Sequence, residues 1–433
     1  MKKILSILYL TTCFLLTAQV NLNFYSSNND PERKAVIRYL FNAFELYNPD
    51  IKVNLLPFED SYSTEEISVG KNGLLPHMIM ADSLLLSRLS NKSLINQELT
   101  SRILMDIGIE DFYTGGLKAF NLTEGYYGIP YSAWLQVIWY RNDWFESEGL
   151  EPPYNITSLL KAGEYFKNLH EGVHGNIVGS KNDLYTMQCF LQIADSIGVE
   201  IDFDNRGCFF PKEPLIEALN IYKTLIAYTP PGENDWRTRD YYFQNRAALL
   251  FYSTHLMDDL ALSEVAQNSL TDNNFPDLDG AEFSPDLLKN TGMVTTLTGT
   301  RPSSFGSISG LGLFKSEDLN IKIAQEKLVR FLFRKDVYTT WLHMSPGGML
   351  PVRRSILAED SFYRDSGGVF KKYGREKLIE LTSGLEFLNI INPECLKNTI
   401  ENQYNDNDFQ NLIYHLLNSE DINTLIEPVV WIR

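Results

Sequence analysis

An α/β protein with more than one domain is what this sequence predicts, on three observations. The chain opens strand, helix, strand behind an apolar leader. Strand and helix patterns then alternate along most of its length, the signature of parallel or mixed sheets with helices outside. Its 433 residues exceed what one hydrophobic core fills.

The elements follow in order. Val20 to Ser27 alternates apolar and polar residues, as a half-buried strand does. Asn28-Asn29-Asp30-Pro31 supplies capping chemistry, with Pro31 suited to a first helical turn. Val36, Leu40 and Phe44 then recur every fourth residue, giving one apolar stripe, and Asn48-Pro49 ends the helix. Residues 51–58 read as a second strand and 77–82 as a short buried third, followed by a helix from Ser83. Residues 125–140 are aromatic and β-branched, the next segment is helical, and Pro152-Pro153 breaks it. Helices are predicted over Ile156–Leu169, over 184–197 with Gly198 as the stop, over 213–228, and over 320–333. A strand is predicted over 246–254. From Asp272 to Ser307 helix signals are poor and Asp, Gly, Pro, Ser and Thr are dense, so a long functional loop is expected. The tail beyond Ser366 reads as polar and helical.

Composition narrows the class. Hydrophobic residues at 44% and charged residues at 21% describe a globular chain. A net charge of −17 argues against nucleic acid or an anionic membrane as a partner held by bulk electrostatics. Lys2-Lys3, apolar Ile4 to Leu16 and small Thr17-Ala18 read as a signal peptide over residues 1–18, too short for a comfortable membrane span. The mature chain is therefore expected outside the cytoplasm and free of the bilayer. A lipid anchor would use Cys13, although apolar Phe14-Leu15-Leu16 runs on past it. Cleavage at Ala18 leaves Cys189, Cys208 and Cys395, an odd number that argues against a disulfide framework and leaves Cys189 with Cys208 as a candidate pair.

One stretch suggests metal chemistry. His170-Glu171-Gly172-Val173-His174 matches H-E-x-x-H, which on a helix sets two imidazoles around zinc beside a general base. Two glycines at 172 and 175 cost a helix about 2 kcal/mol relative to alanine, so the helix is expected to stop near Leu169. The histidines then do not share a face, and the match is read as a helix exit. No nucleophile elbow, phosphate loop or paired-cysteine spacing is present, and no two of the many carboxylates stand out as a glycosidase pair. The expectation is a protein without catalysis, cofactor or metal.

Residues 125–153 carry more than strand and helix signals. Tyr127-Gly128-Ile129-Pro130-Tyr131, Tyr140-Arg141-Asn142-Asp143-Trp144-Phe145, Gly149-Leu150 and Pro152-Pro153 follow one another in a set order. Residues 44–56, 245–256, 308–333 and the Ser345 to Ser355 ending add further pieces in sequence. Together they resemble the extracellular solute-binding proteins of ABC importers, in the branch that captures sugars, over roughly residues 20 to 360. The chain departs from that pattern at Pro76-His77, at Thr254-His255-Leu256 and in a long insertion around 265 to 305.

The resemblance implies a type II periplasmic-binding-protein-like fold: two α/β lobes, each a mixed sheet flanked by helices, with ligand in the cleft between them. It places lobe one at 19–133 plus 260–314 and lobe two at 134–259 plus 315–433, with crossings near Tyr131–Leu135, Leu260 and Lys315. It also implies a carbohydrate ligand, permease subunits of an importer as partners, and a monomer in the periplasm or outside the cell. A sugar needs aromatic faces for stacking and hydrogen-bonding side chains around its edge. The candidates are Trp236 and Trp134 as stacking rings and Tyr131 on the first crossing. Ser26, Ser27 and Asp82 are placed at strand ends, Ser253 and His255 near the second crossing, and Arg301 and Ser307 near the Gly-rich return. A non-sugar solute, a receptor-signalling role and a secreted hydrolase stand as the alternatives.

Overall fold

The computed structural model describes residues 19–58, 64–70, 73–122, 125–199, 202–204, 207–209, 211–262, 283, 286–389, 406–419 and 431–432. The signal-peptide segment, Cys13, Cys395 and most of the 265–305 insertion before residue 286 lie outside them.

Strand β1 (Val20–Ser26) leads into helix α1 (Pro31–Tyr47) and strand β2 (Ile51–Pro57). The Asp30 side chain caps α1 by accepting from the Arg33 N–H at 2.8 Å, with Pro31 in the first turn. Ile37, Leu40, Phe41 and Phe44 bury the predicted stripe, each worth ~1.5–3 kcal/mol in area removed from water. β1 and β2 pair in parallel, Val20 opposite Ile51. Strand β3 (Met78–Asp82) pairs in parallel on the other side of β1 and runs into helix α2 (Ser83–Asn91).

Strand β4 (Ile129–Arg141) is thirteen residues long, and almost every residue in it is buried. Its partners are β6 (Ala247–Ser253), β7 (Thr291–Val294), β10 (Gly306–Leu313) and β11 (Leu350–Pro351), while β5 (His174–Ile177) pairs with β6, and β8 (Leu297–Thr298) and β9 (Pro302–Ser303) form a separate hairpin. The main path runs β2-β1-β3-β10-β4-β6-β5, with β7 and β11 also on β4. The first half of β4 pairs with β10 and β11, and the second half pairs with β6 and β7. One strand therefore serves two sheets.

Two apolar cores accompany this division. The first collects β1, β2, β3, α1 and α2 and runs on to Val137, Trp139, Ile177, Ala247, Leu250 and Met293 of the other sheet. The second lies on the far half of β4, with helices α3 (Ile156–Leu169), α4 (Leu184–Ile197) and α5 (Lys212–Ile226). Helix α6 (Leu256–Ala261) follows β6 and turns its apolar residues to the first core.

Three expectations change. Helix α7 (Leu319–Leu332), α8 (Lys335–Leu342) and α9 (Val369–Ser383) were expected with the second lobe. Their apolar residues sit in the first core, which also takes in Val137, Trp139, Ile177, Ala247 and Leu250 of the other sheet; α7 packs on β1 and α8 on α1, with Phe331 edge-on to Phe44 at 5.4 Å, so these two helices belong with the first sheet. The reason is connectivity: β10 returns the chain to β3, and α7 packs back onto β1 beside it. Only α10 (Asp406–Asn418) adds Ile413, Leu416 and Leu417 to the second core. The pairing partners change at Leu135/Gln136, after Ser253 and at Phe305/Gly306, rather than near 260 and 315. Residues 286–307, expected as loop, form a short helix, β7 and the β8–β9 hairpin. Their Ser and Thr residues suit an extended edge as well as a turn.

Candidate ligand-binding site

The strands exchange partners at one knot of backbone. Thr254 donates its N–H to the Leu135 carbonyl at 2.7 Å, and Gln136 donates to the Phe305 carbonyl at 2.8 Å. The Thr254 hydroxyl donates to the Gly347 carbonyl at 2.6 Å. A Cβ on Gly347 would lie 2.3 Å from the Thr254 carbonyl oxygen, so the approach requires glycine.

At the carboxyl end of β6 the chain supplies Tyr252, Ser253, Thr254 and His255, then Asp258 and Asp259 on α6. Against them packs a 3-10 turn, Trp236–Arg239, started by the Asp235 side chain accepting from the Arg237 N–H at 2.9 Å. The Trp236 ring is 44% exposed, with the guanidinium carbons of Arg237 and Arg239 at 5.1 and 5.3 Å from its centroid. Arg239 also faces Phe243 at 5.4 Å and Tyr252 at 5.3 Å, donates to the Tyr252 hydroxyl and pairs with Asp259.

Two partly buried carboxylates set the electrostatics of this loop. Burial pushes the Asp258 carboxyl up to about 6, against a hydrogen bond from the Gly347 N–H; Asp259 and Asp365 add to the rise, and Arg33 of α1 opposes it. Asp258 Oδ1 is buried without a hydrogen-bond partner. Burial also raises Asp259, with Arg239 opposing. His255 keeps an exposed edge, yet burial and then Arg33 hold its pKa below the usual range. Helix α1 of the first sheet thus brings a cation to the loop that ends β6.

The sequence candidates divide. Trp236, Ser253 and His255 gather on this loop and turn. Trp134 on β4 and Ser307 on β10 face each other across the ladder, both half-buried, with Trp134 edge-on to Phe305 at 6.3 Å. Ser27 is exposed in the turn before α1. Ser26 is buried, and its hydroxyl accepts from the Asn28 backbone and amide, which makes it a turn residue. Asp82 is exposed and caps α2 by accepting from the Leu85 N–H at 2.7 Å. Arg301 pairs with Asp195 of α4 at 2.8 Å. Tyr131 is a correction: it is 0% exposed among Phe333, Tyr338 and Trp341, and its hydroxyl donates to the Leu332 carbonyl at 2.9 Å. The helices of the first core cover it. Sequence reading missed Arg239, Tyr252, Asp258 and Asp259, which lie within a few residues of Trp236 and His255 but carry no periodic mark of their own.

The zinc-like pentapeptide is a helix exit. α3 ends at Leu169, His170 is extended at φ −140° and ψ 141°, and Gly172 has φ +77°. His174 begins β5, and its ring lies edge-on to Tyr241 at 5.1 Å. Among the described residues no group of three or more His, Cys, Asp or Glu is placed to hold a metal ion. Cys189 is a buried free thiol, its pKa pushed up to about 12 by burial.

This architecture has solved counterparts. The sugar-binding protein MalE from Xanthomonas citri matches with a TM-score of 0.72 at 14% identity, over 94% of this chain and 95% of that one. An ABC transporter solute-binding protein from Agrobacterium radiobacter K84, solved with ribitol, matches with a TM-score of 0.62 at 18% identity, over 93% and 94%. The chain has the type II fold of the periplasmic binding proteins. In sequence it is 28% identical over 367 residues to YcjN of Escherichia coli (strain K12), which bears the name of an ABC transporter periplasmic-binding protein. That match covers 82% of this chain and 80% of YcjN. No family model matches the chain. The resemblance read from residues 125–153 is therefore borne out by binding-protein relatives. Among the described residues no helix is long and apolar enough to cross a membrane.

Proposed function

We propose that this protein captures a carbohydrate between two hinged lobes and delivers it, unchanged, to the membrane subunits of an ABC importer. The observation that carries the reading is the half-exposed Trp236 ring, set beside Arg239, Tyr252 and Asp259 at the carboxyl end of a sheet strand. Ligands of α/β folds gather at strand carboxyl ends. An indole face packs against sugar C–H groups while hydroxyl and carboxylate groups nearby bond the sugar's edge. The names of the relatives support the same chemistry, since two of them were described with sugar or polyol binding.

In this reading one lobe is built on β1, β2, β3, β10, α1, α2, α7 and α8. The other is built on β5, β6, β7 and the second core. Hinge closure around ligand is known behaviour for periplasmic binding proteins. Ligand favours the closed form only through contacts it makes to both lobes. Export by the segment 1–18, with Cys13 unmodified, and a monomeric mature chain complete the proposal. The protein does no chemistry on its cargo. Calorimetry against mono-, oligosaccharides and polyols tests it, and a micromolar dissociation constant, about −8 kcal/mol, is expected for the cognate ligand. Absence of binding across the panel, with binding of an amino acid or peptide instead, rejects the carbohydrate reading.

A further inference from the structure

We infer that Arg239 is a positioning residue: it holds the Trp236 ring in the pose that receives ligand, and it does so through its flat face more than through its charge. The inference rests on the stacking role proposed above for Trp236.

Trp236 stands on a turn of only four residues. Such a turn has few backbone hydrogen bonds to resist rocking of an exposed indole. Arg239 closes that turn and is 8% exposed. Its guanidinium lies 5.3 Å from the Trp236 centroid, 5.4 Å from Phe243 and 5.3 Å from Tyr252, so one planar group touches three rings. Two of those rings lie on separate elements from the turn: Phe243 ends the short helix Asp240–Phe243 that follows it, and Tyr252 is on β6. Asp259 of α6 neutralises the cation, and Nη1 also reaches the Tyr252 hydroxyl at 3.3 Å. The Nε atom is buried without a partner. A cation placed here for charge pairing alone would satisfy its remaining donors. This one leaves a donor unpaired yet sits within reach of three ring faces, the arrangement in which a flat delocalised cation outdoes a point charge. Lysine has no planar face and cannot substitute.

The test uses the full mature chain. Iodide quenching of Trp236 fluorescence is read in ligand-free protein as the difference between each variant and the same variant carrying Trp236→Ala. Arg239→Lys is expected to raise the Trp236 quenching constant at least twofold. Asp259→Asn, which removes charge but leaves the stack, is expected to change it little. With the best-binding saccharide, Arg239→Lys is expected to weaken affinity about tenfold when Trp236 is present and less than twofold in the Trp236→Ala background. Unchanged quenching in Arg239→Lys overturns the inference. So does a tenfold loss that persists without Trp236, because Arg239 would then contact ligand itself. An Asp259→Asn effect equal to that of Arg239→Lys overturns the claim for the flat face. Should Arg239→Lys fail to fold, Tyr252→Leu removes one face of the stack and is read in the same way: raised quenching supports the inference, and none refutes it. If no saccharide binds the wild type, the functional reading fails, while the quenching measurements still decide the role of Arg239.

Discussion

The clusters around Tyr131 and Trp236 are both rich in aromatic rings, yet their polar atoms end differently. Around Tyr131, the tyrosine donates to the Leu332 carbonyl, Tyr338 donates to the Tyr131 carbonyl at 2.8 Å, and the Val352 N–H donates to Tyr338 at 3.0 Å. In that group the Trp341 indole nitrogen and the neighbouring Thr339 Oγ1 lack a partner, and no ring lies open to solvent. Around Trp236, one ring lies open to solvent, and Asp258 Oδ1, Arg239 Nε and Thr238 Oγ1 are all buried without partners. Buried polar groups are normally satisfied. A cluster that closes most of its own hydrogen bonds works for stability; one that leaves charged groups open beside an exposed ring fits the ligand site proposed above. Aromatic content alone does not separate the two.

The sharpest way to break this contrast is Tyr131→Ala. Loss of a fully buried ring and its hydrogen bond is expected to cost ~3–5 kcal/mol in chemical denaturation. A cost under about 1 kcal/mol would return Tyr131 to the list of surface candidates. Trp236→Ala is the mirror test. Affinity for the cognate sugar, measured by calorimetry, is expected to fall at least tenfold, about 1.4 kcal/mol, with unfolding little changed. The Asp258 carboxyl gives a pH-dependent test. Its folded pKa, about 6, is above the usual ~3.9, so its contribution favours the fold fully below about pH 4 and is lost as pH rises through 6. Asp258→Asn removes that loss. After discounting for solvent access, the variant is expected to be ~1–2 kcal/mol more stable than wild type at pH 7.5 and equal to it below about pH 4. A thermal-melt series over pH reads this directly. The smallest effect is expected at the helix exit: His170→Ala is expected to move unfolding by less than ~0.5 kcal/mol, and added zinc to leave the melting temperature unchanged.

Much of the fold was legible because local chemistry repeats the tertiary answer. Asp30-Pro31, the Val36 to Phe44 stripe and Asn48 start, orient and end α1 as their residue types demand. Gly172 likewise tells against a helical metal site by residue type alone, and its φ of +77° agrees. Lobe membership was less legible. α7 has an amphipathic stripe that fits either sheet, and the decision comes from β10 pairing with β3, a contact between residues far apart in sequence. The site was legible in part. An exposed Trp in a polar stretch and a His after a strand stand out. Tyr131 misled because a tyrosine beside a Gly-Ile-Pro signature looks the same whether its hydroxyl meets solvent or the Leu332 carbonyl. Asp258 and Asp259 escaped notice because burial, which distinguishes them from other acidic pairs, is not written locally.

The thirteen residues of β4 work like a beam shared by two rooms. Neither half can be removed, exchanged for a relative's or produced alone without taking away the member on which the other's ladder is hung. A single protease cut at Leu135–Gln136 would therefore unsettle both halves at once, whereas cuts in tandem domains leave intact pieces. Recombination that shuffles such lobes has to keep this segment with both of them.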